Sequence, residues 1–453
     1  MRNPFWPISI SLSPNVQPDD VKLALSLLFG KYVEVSPRQA CLGDTSTTST
    51  IEVKPHQILE RKFAEYLGVR GARSFNSGRS ALMAILAGLE LERGSQVLLQ
   101  AFTCNAAANP ILWSGLEPVY VDCDDNYNLS PDDLKNKITP KSRAVMIQHT
   151  FGVPADIDAI QKVCEKHNLI LIEDCAHSLG AKYHGRRIGT FGKAAFFSFS
   201  RDKIISCVYG GMAATNDSDL AKKIAAFQEK AGNPSDWWTF QQLLHPILMD
   251  KIILPTYSIL GKHLLVLFQC LHILSKAIHW KEKRGMRPDY FPKRLPDKLA
   301  VLALHQFAKL EKFNNHRRKL AKFYRKELSN CINCASLTRA EEKNLRGLDP
   351  RKNGGFVLPD ELPNTLPAYL RFSIRHDNAK NIIKKAWRKN LLLGDWYRTP
   401  VDPFDTKPET IGYKKGTCPN AEKFAGKMIN LPTHTNISES EAKKIISFLN
   451  PKS

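Results

Sequence analysis

Lys203 and Asp174 are the two residues of this chain best placed to do covalent chemistry together. Leu169-Ile-Leu-Ile-Glu-Asp174 reads as a buried strand that delivers an acid at its carboxyl end, and Ala194-Ala-Phe-Phe-Ser-Phe199 reads as another, with Lys203 within a turn of it. Open α/β sheets hold ligands at such carboxyl edges. A lysine there condenses with a carbonyl to form a Schiff base, and an acid there keeps a pyridinium nitrogen protonated through opposite charge. The pair suggests pyridoxal phosphate. Each residue alone has a plainer reading, Asp174 as a strand-end acid satisfied by a loop amide and Lys203 as a solvated surface amine.

Further groups stand near these two in the sequence. Ser74-Phe-Asn-Ser-Gly-Arg-Ser80 immediately precedes an apolar helical run. Free backbone N–H groups, the helix dipole, two hydroxyls and the Arg79 guanidinium would converge there on an anion such as a cofactor phosphate, although serine-rich helix starts also simply cap. His177, three residues after Asp174, is placed to lie over or beside a ring, and Ser198 to bond a phosphate. His149 and Phe151 lie on the loop after a core strand and are candidate substrate contacts. Cys331-Ile-Asn-Cys334 is a lone CxxC with no second pair nearby, so it reads as a local accident and no metal site is expected.

Alternating helix and strand patterns position these residues. Ser80 to Leu91 reads as helix, Gln96 to Gln100 as strand, Asn105 to Trp113 as helix, Pro118 to Val121 as strand. Ser130-Pro-Asp-Asp opens a helix with a cap residue, a first-position proline and first-turn acids. Ala144 to Gln148 is a strand and Asp156 to His167 a helix, leading into the Leu169 strand. Such alternation implies an α/β fold with a mostly parallel sheet covered on both faces. Beyond Asn233 the texture changes: Leu295 to Leu328 reads as one long amphipathic helix, then Leu366 to Ile374 as a strand and Asn378 to Asn390 as a helix. Residues 1–235 are expected to form a large α/β domain with an N-terminal segment, 236–285 an apolar helical insert, and 286–453 a smaller α+β C-terminal domain.

Asn76-Ser-Gly-Arg-Ser-Ala-Leu82, Ala101-Phe-Thr-Cys-Asn-Ala106, Gln148-His-Thr-Phe-Gly-Val-Pro-Ala-Asp156, Glu173-Asp-Cys-Ala-His-Ser178 and Phe197-Ser-Phe-Ser-Arg-Asp-Lys203 with Gly210-Gly211 resemble the DegT/StrS sugar aminotransferases. Order and spacing agree over roughly Ala72 to Asn216, with weaker similarity through Leu295 to Tyr324 and Pro419 to Leu449, Asn430-Leu-Pro432 included. The resemblance implies a fold-type-I pyridoxal phosphate enzyme that aminates a nucleotide-linked keto sugar, usually from glutamate, in two ping-pong half-reactions. Lys203 would be the Schiff-base lysine and proton shuttle, Asp174 the partner of the pyridine nitrogen, His177 the ring neighbour and Ser198 a phosphate contact. Gly78, Arg79 and Ser80 fall on the family's phosphate-binding turn. The chain departs from the pattern in four places. Cys104 stands where an aromatic often stacks on the cofactor, Arg79 replaces a threonine, and Val208-Tyr209 replaces Gly-Glu before the glycine pair. Arg294 aligns with a position from which a partner subunit, usually through asparagine, reaches the phosphate, which motivates a homodimer. Sugar dehydratases of the same fold carry histidine in place of the lysine, so Lys203 argues for transamination. Another pyridoxal phosphate lyase or transferase remains the alternative.

The 453 residues carry a net charge of +21, which favours anionic partners such as a phosphorylated substrate or an acidic membrane surface. Absence of a helix-turn-helix or of interleaved aromatic and basic residues argues against nucleic acid and a noncatalytic regulator. Ten cysteines show no disulfide framework; Cys175, Cys207 and Cys270 have apolar neighbours and read as core thiols in a reducing compartment. The first residues lack an apolar signal-peptide core, so a cytoplasmic enzyme is expected. Trp237 to Trp280 is rich in Leu, Ile, Val and Phe and edged by lysines. Its uncharged stretches, Ile252 to Gly261 and His263 to Ser275, are shorter than the roughly 18–20 residues of a span. A hairpin lying at the inner membrane face through 239–279 and a helical pair packed on the protein or across a dimer both fit.

Overall fold

The computed structural model describes residues 6–30, 53–329 and 355–450. Its main sheet has seven strands: β1 (Gly71–Phe75), β2 (Gln96–Gln100), β3 (Glu117–Val121), β4 (Ser142–Gln148), β5 (Ile170–Asp174), β6 (Ala194–Ser198) and β7 (Gly211–Thr215). They run in the order β1-β7-β6-β5-β4-β2-β3. Within this sheet β7 is antiparallel to both its neighbours, and the other pairings are parallel.

The apolar runs read from the sequence are runs because both faces of the sheet are covered. Successive side chains point to opposite faces. Val145, Ile147, Leu171, Ala195 and Phe197 enter one core, while Ala144, Met146, Ile172, Ala194 and Phe196 enter the other. The helices start where the sequence places caps. Asp156 Oδ1 accepts the Ala159 N–H at 3.1 Å before Ile157–Lys166, and Ser130 Oγ accepts the Asp133 N–H at 3.3 Å before Pro131–Lys137.

A third core lies beneath the antiparallel pair β8 (Arg371–Arg375) and β9 (Met428–Pro432), with helices Ala379–Arg388 and Glu439–Leu449. Two expectations are corrected here. The long helix from Leu295 is two helices, Asp297–Phe307 and Leu310–Ser329, broken at Ala308 and Lys309. The change of core comes inside the second helix: Leu299, Ala300, Ala303, Leu310 and Phe313 pack in the first, whereas Leu320, Ala321, Tyr324 and Leu328 pack in the third. The strand from Leu366 is likewise split, because Pro367 offers no N–H and Tyr369 takes φ +48°. Thr365–Leu366 pairs with Lys182–Tyr183, and β8 begins only at Arg371.

The insert rises as helix Asp236–Leu248, continues through Met249–Ile253, and turns through 110° into Tyr257–Gly261 and helix Lys262–Cys270. Among the described residues no single helix is long and apolar enough to cross a membrane. Cys175 and Cys207 are buried as expected, but Cys270 is exposed on the insert, whose last helix buries none of its residues. The Cys331–Cys334 pair lies outside the described residues.

Candidate active site

Strands β4, β5 and β6 end side by side in Gln148, Asp174 and Ser198, and Gln148 and Phe196 flank Asp174 in register. These three carboxyl ends line a cavity of about 280 Å³, together with Ser77, Gly78 and Arg79 from the turn after β1. Lys203, His177 and Cys104 line it too. Most of the residues singled out from sequence thus meet in one place.

Alternation along β5 separates its two acids. Glu173 turns to a loop, where its carboxylate accepts N–H bonds from Gly189, Phe191 and Gly192 at 2.7–2.8 Å. Asp174 turns to the cavity, where burial raises its pKa against the pull of the Ala176 N–H, bonded at 2.9 Å, and of the Lys203 charge. Burial pushes the Lys203 amine down to about 8; Asp174 opposes that fall, while Arg371 adds repulsion. An amine so placed is unprotonated about a tenth of the time at pH 7, hundreds of times more than an ordinary lysine, as a nucleophile or proton carrier requires. His177 accepts the Phe151 N–H on Nδ1 at 3.2 Å, and burial holds its pKa well below the ordinary value. The ring is therefore neutral, with its proton on Nε2. It lies parallel to Phe151, with ring centroids 6.0 Å apart and 7° between planes.

The turn after β1 departs from expectation. Ser77 Oγ caps helix Gly78–Leu89 by accepting the Ser80 N–H at 3.0 Å, and Ser80 Oγ donates to Asn76 Oδ1 at 2.7 Å. Both hydroxyls serve the turn itself, and Ser80 is buried outside the cavity lining. Arg79 pairs with buried Glu282 at 3.0 Å and donates to the Ala277 carbonyl at 3.1 Å. What the turn still offers an anion is the first-turn N–H groups of Gly78 and Arg79 and the positive helix end. Backbone approach here is close. A Cβ on Gly78 would lie 3.2 Å from Ser198 Cβ, and one on Gly211 would overlap the Ser77 and Gly78 main chain.

His149 and Phe151 do not reach the cavity. His149 is fully buried, accepting the Ala155 N–H at 3.1 Å with Nε2 3.5 Å from Glu173, and Phe151 backs His177 and Tyr397. Alternation turns His149 away from the side on which Gln148 lines the cavity, and the tight turn Thr150–Gly152, in which Phe151 takes φ +54°, carries Phe151 behind the wall. Arg294 also lies away from the chain's own cavity, donating to Asn233 Oδ1 at 3.2 Å. Cys104 lines the cavity as the cap position of helix Asn105–Trp113, and burial raises its thiol pKa.

Sequence reasoning missed one wall. Arg371 enters from the third core's antiparallel pair, and Trp396, Tyr397, Arg398, Asp402 and Pro403 from a segment that packs on the second core. Arg371 is 8% exposed, stands 3.4 Å from the Trp396 ring centroid, and has no hydrogen-bond or ion-pair partner among the described residues. Nothing in a lone Arg-Phe-Ser-Ile-Arg strand marks it, because its meaning comes from the cavity it faces. A second surprise is Val208, a cavity residue held at φ +72° in a γ-turn closed by the Tyr209 N–H and the Cys207 carbonyl at 2.9 Å.

A phosphorylated pyridine aldehyde fits this donor set. The cavity presents a low-pKa amine, a buried carboxylate beside it, a flat neutral imidazole, and a helix start that only glycine packing allows. Comparison with known proteins agrees. A profile of the DegT/DnrJ/EryC1/StrS aminotransferase family matches residues 44–247 and 279–450. A GDP-perosamine synthase of Caulobacter vibrioides is 38% identical over 182 residues, 40% of this chain and 49% of that protein. A UDP-N-acetyl-3-dehydro-alpha-D-glucosamine 3-aminotransferase of Acidithiobacillus ferrooxidans is 26% identical over 396 residues, 87% of each chain. The solved aminotransferase from Psychrobacter cryohalolentis shares the fold, with TM-score 0.69, 20% identity and 97% of both chains covered. The chain belongs to the DegT/DnrJ/EryC1/StrS aminotransferase family, pyridoxal phosphate enzymes of fold type I.

Proposed function

We infer that this chain transfers an amino group from an amino acid, glutamate by family resemblance, to a keto sugar carried on a nucleotide, for the synthesis of surface or lipid-linked glycans. The observation that carries this reading is the placement of Lys203 and Asp174 on one cavity, with the amine's pKa lowered to about 8. When bound, pyridoxal phosphate supplies an electron sink for charge developing on the carbon that bears the nitrogen. Asp174 would hold the proton on the ring nitrogen. His177, fixed by the Phe151 N–H, would lie against the ring and keep its own proton on Nε2. Lys203 would anchor the cofactor and afterwards carry the proton between substrate carbon and cofactor carbon. Gly78, Arg79 and Ser198 would meet the phosphate, the first two through main-chain N–H groups.

Arg371 would bind the donor. A buried guanidinium with its fork unpaired is the matching partner for a carboxylate, and it faces the same cavity as Lys203. Arg294 would reach the phosphate of the partner subunit in a homodimer. A monomeric variant with undiminished cofactor affinity removes that role. The activity is tested by incubating the protein with 15N-glutamate and a panel of nucleotide keto sugars. Label in the sugar is expected; label in no sugar rejects the reading.

A further inference from the structure

The family profile leaves residues 248–278 unmatched between its two spans, so the tip of the insert lies outside the family profile. One side of it is satisfied. Met249, Ile253 and Leu274 form a small buried core with Leu248, Leu254, Tyr257, Leu265 and Phe268 around it. The other side is bare: Ile259 and Leu260 are 57% and 59% exposed, and Val266, Leu267 and Leu271 are 55%, 48% and 59% exposed. Leu267 and Leu271, four apart, share a face of helix Lys262–Cys270 and its end, and Val266 lies beside them about 100° round. A helix apolar on both faces is normally enclosed. This one needs a second cover.

Charge selects the cover. Between residues 248 and 285 stand Lys251, Lys262, Lys276, Lys281, Lys283 and Arg284 against only Asp250 and Glu282; Glu282 is spent on Arg79, and Lys251, Lys281 and Lys283 pair with Asp250, Asp289 and Asp405, which leaves Lys262, Lys276 and Arg284. Lys262 and Lys276, on either side of the bare apolar face, have no acid partner among the described residues. A second copy of a chain carrying +21 would set this collar against itself across a two-fold axis. An anionic lipid surface supplies apolar depth and opposite charge together. The nine-residue helix is about 14 Å long, half of the roughly 30 Å hydrocarbon core, so it lies in the interface instead of spanning it.

The descending limb of the same hairpin is stitched to the active cavity. Arg201, itself a lining residue, donates to the Ser275 carbonyl at 2.8 Å, the Tyr209 hydroxyl donates to the Lys276 and Ala277 carbonyls, and Arg79 holds Ala277 and Glu282. Ala277 and Ile278 line the cavity, only a few residues beyond Leu271. We propose that the exposed face of the insert docks on an anionic lipid surface, and that its return limb carries docking to the cavity wall. The regulatory half rests on the aminotransferase reading; the docking half does not.

The test uses the full chain loaded with cofactor and two kinds of vesicle, phosphatidylcholine alone or with phosphatidylglycerol. Flotation with the anionic vesicles, weakened by salt, is expected, and none with the neutral ones. V266E/L267E/L271E should lose flotation while keeping the cofactor absorbance, and K262E/K276E should bind about tenfold more weakly or worse, which does not depend on the apolar variant folding. Anionic vesicles should also lower the KM for the nucleotide sugar in the wild type and leave it unchanged in V266E/L267E/L271E. Equal flotation by both variants overturns docking, as does a dimer that V266E/L267E/L271E converts to monomer. Flotation without any change in KM overturns the coupling. Loss of amino transfer with flotation intact counts against the enzyme reading alone.

Discussion

Replacing Lys203 by methionine should abolish amino transfer and, in the cofactor-free protein, make the fold more stable. The ammonium is held at a disadvantage: burial and the Arg371 charge outweigh Asp174, and the pKa falls from 10.5 to about 8. The unfolded chain restores the ordinary value. Below pH 8 both states carry the proton, and the folded state bears the whole penalty, about 3 kcal/mol for this difference in pKa. Between pH 8 and 10.5 the folded state has released the proton and the unfolded state has not, so stability rises with pH across that window and the penalty is gone above it. Methionine keeps the length and removes the charge. At pH 7 the cofactor-free Lys203→Met protein should therefore exceed the wild type by about 2–3 kcal/mol, with the gap closing toward pH 10.5. Urea titrations of both proteins at pH 7 and pH 10 measure this. A gap of the same size at the two pH values, or a variant weaker than wild type at pH 7, refutes the electrostatic account of the site. Adding cofactor should reverse the order, because only the wild type gains from the covalent anchor.

Cofactor uptake by the cofactor-free chain should accelerate with pH and level off just above pH 8, where Lys203 has lost its proton; a rate still climbing at pH 10 would mean an ordinary lysine. Arg371→Gln should raise KM for the amino donor by about thirtyfold, equivalent to about 2 kcal/mol of charge-assisted bonding, with KM for the sugar unaltered. Equal effects on both substrates would reassign the residue. Gly211→Ala should cost more than about 2 kcal/mol and weaken cofactor binding, since its methyl meets main chain at the start of helix Gly78–Leu89, proposed above to meet the phosphate. Calorimetry and cofactor titration read the two effects. Val208→Gly should cost about 1–2 kcal/mol, because the lost burial of a side chain only 3% exposed and the added freedom of glycine when unfolded exceed the relief of a β-branched residue at φ +72°. A loss of about 3–4 kcal/mol in thermal unfolding, with no relief to offset it, would show that the turn is not strained.

The α/β core was legible because its determinants are local. Leu171 and Ile172 must be apolar on both sides of the strand, and Asp156 and Ser130 announce helices with their own side chains. Lys203 and Asp174 were legible for the same reason, Asp174 ending its strand and Lys203 following five residues after Ser198, the end of the next, at an edge that topology gathers. Arg371 was not, because it depends on how a second core folds back over the first, a relation between residues far apart in sequence. His149 and Phe151 misled in a related way. A loop after a core strand points to the site only on average: alternation sends His149 to the side opposite Gln148, and the positive φ at Phe151 turns that ring behind the wall. Arg79 was assigned an anion and found a carboxylate instead, Glu282 of the insert, whose position no motif encodes.

Some of the departures from the family pattern and the insert share a physical explanation. Of the residues that differ, Arg79, Cys104, Val208 and Tyr209 line the cavity, and two of them hold the insert: Arg79 through Glu282 and Ala277, Tyr209 through Lys276 and Ala277. Tyr209 also meets Trp238 on the insert's rising helix, with ring centroids 5.4 Å apart. The strained Val208 is the residue just before it, so the γ-turn sets where the tyrosine emerges. On this account the substitutions are not erosion of a cofactor site. They are the attachment points of an added hairpin, and Tyr209→Phe should loosen the return limb, read as faster amide exchange at residues 275–282, while the cofactor absorbance persists. Exchange unchanged along that limb would show that the hairpin is held by its own small core alone, and the coupling between surface and cavity would lose its structural basis.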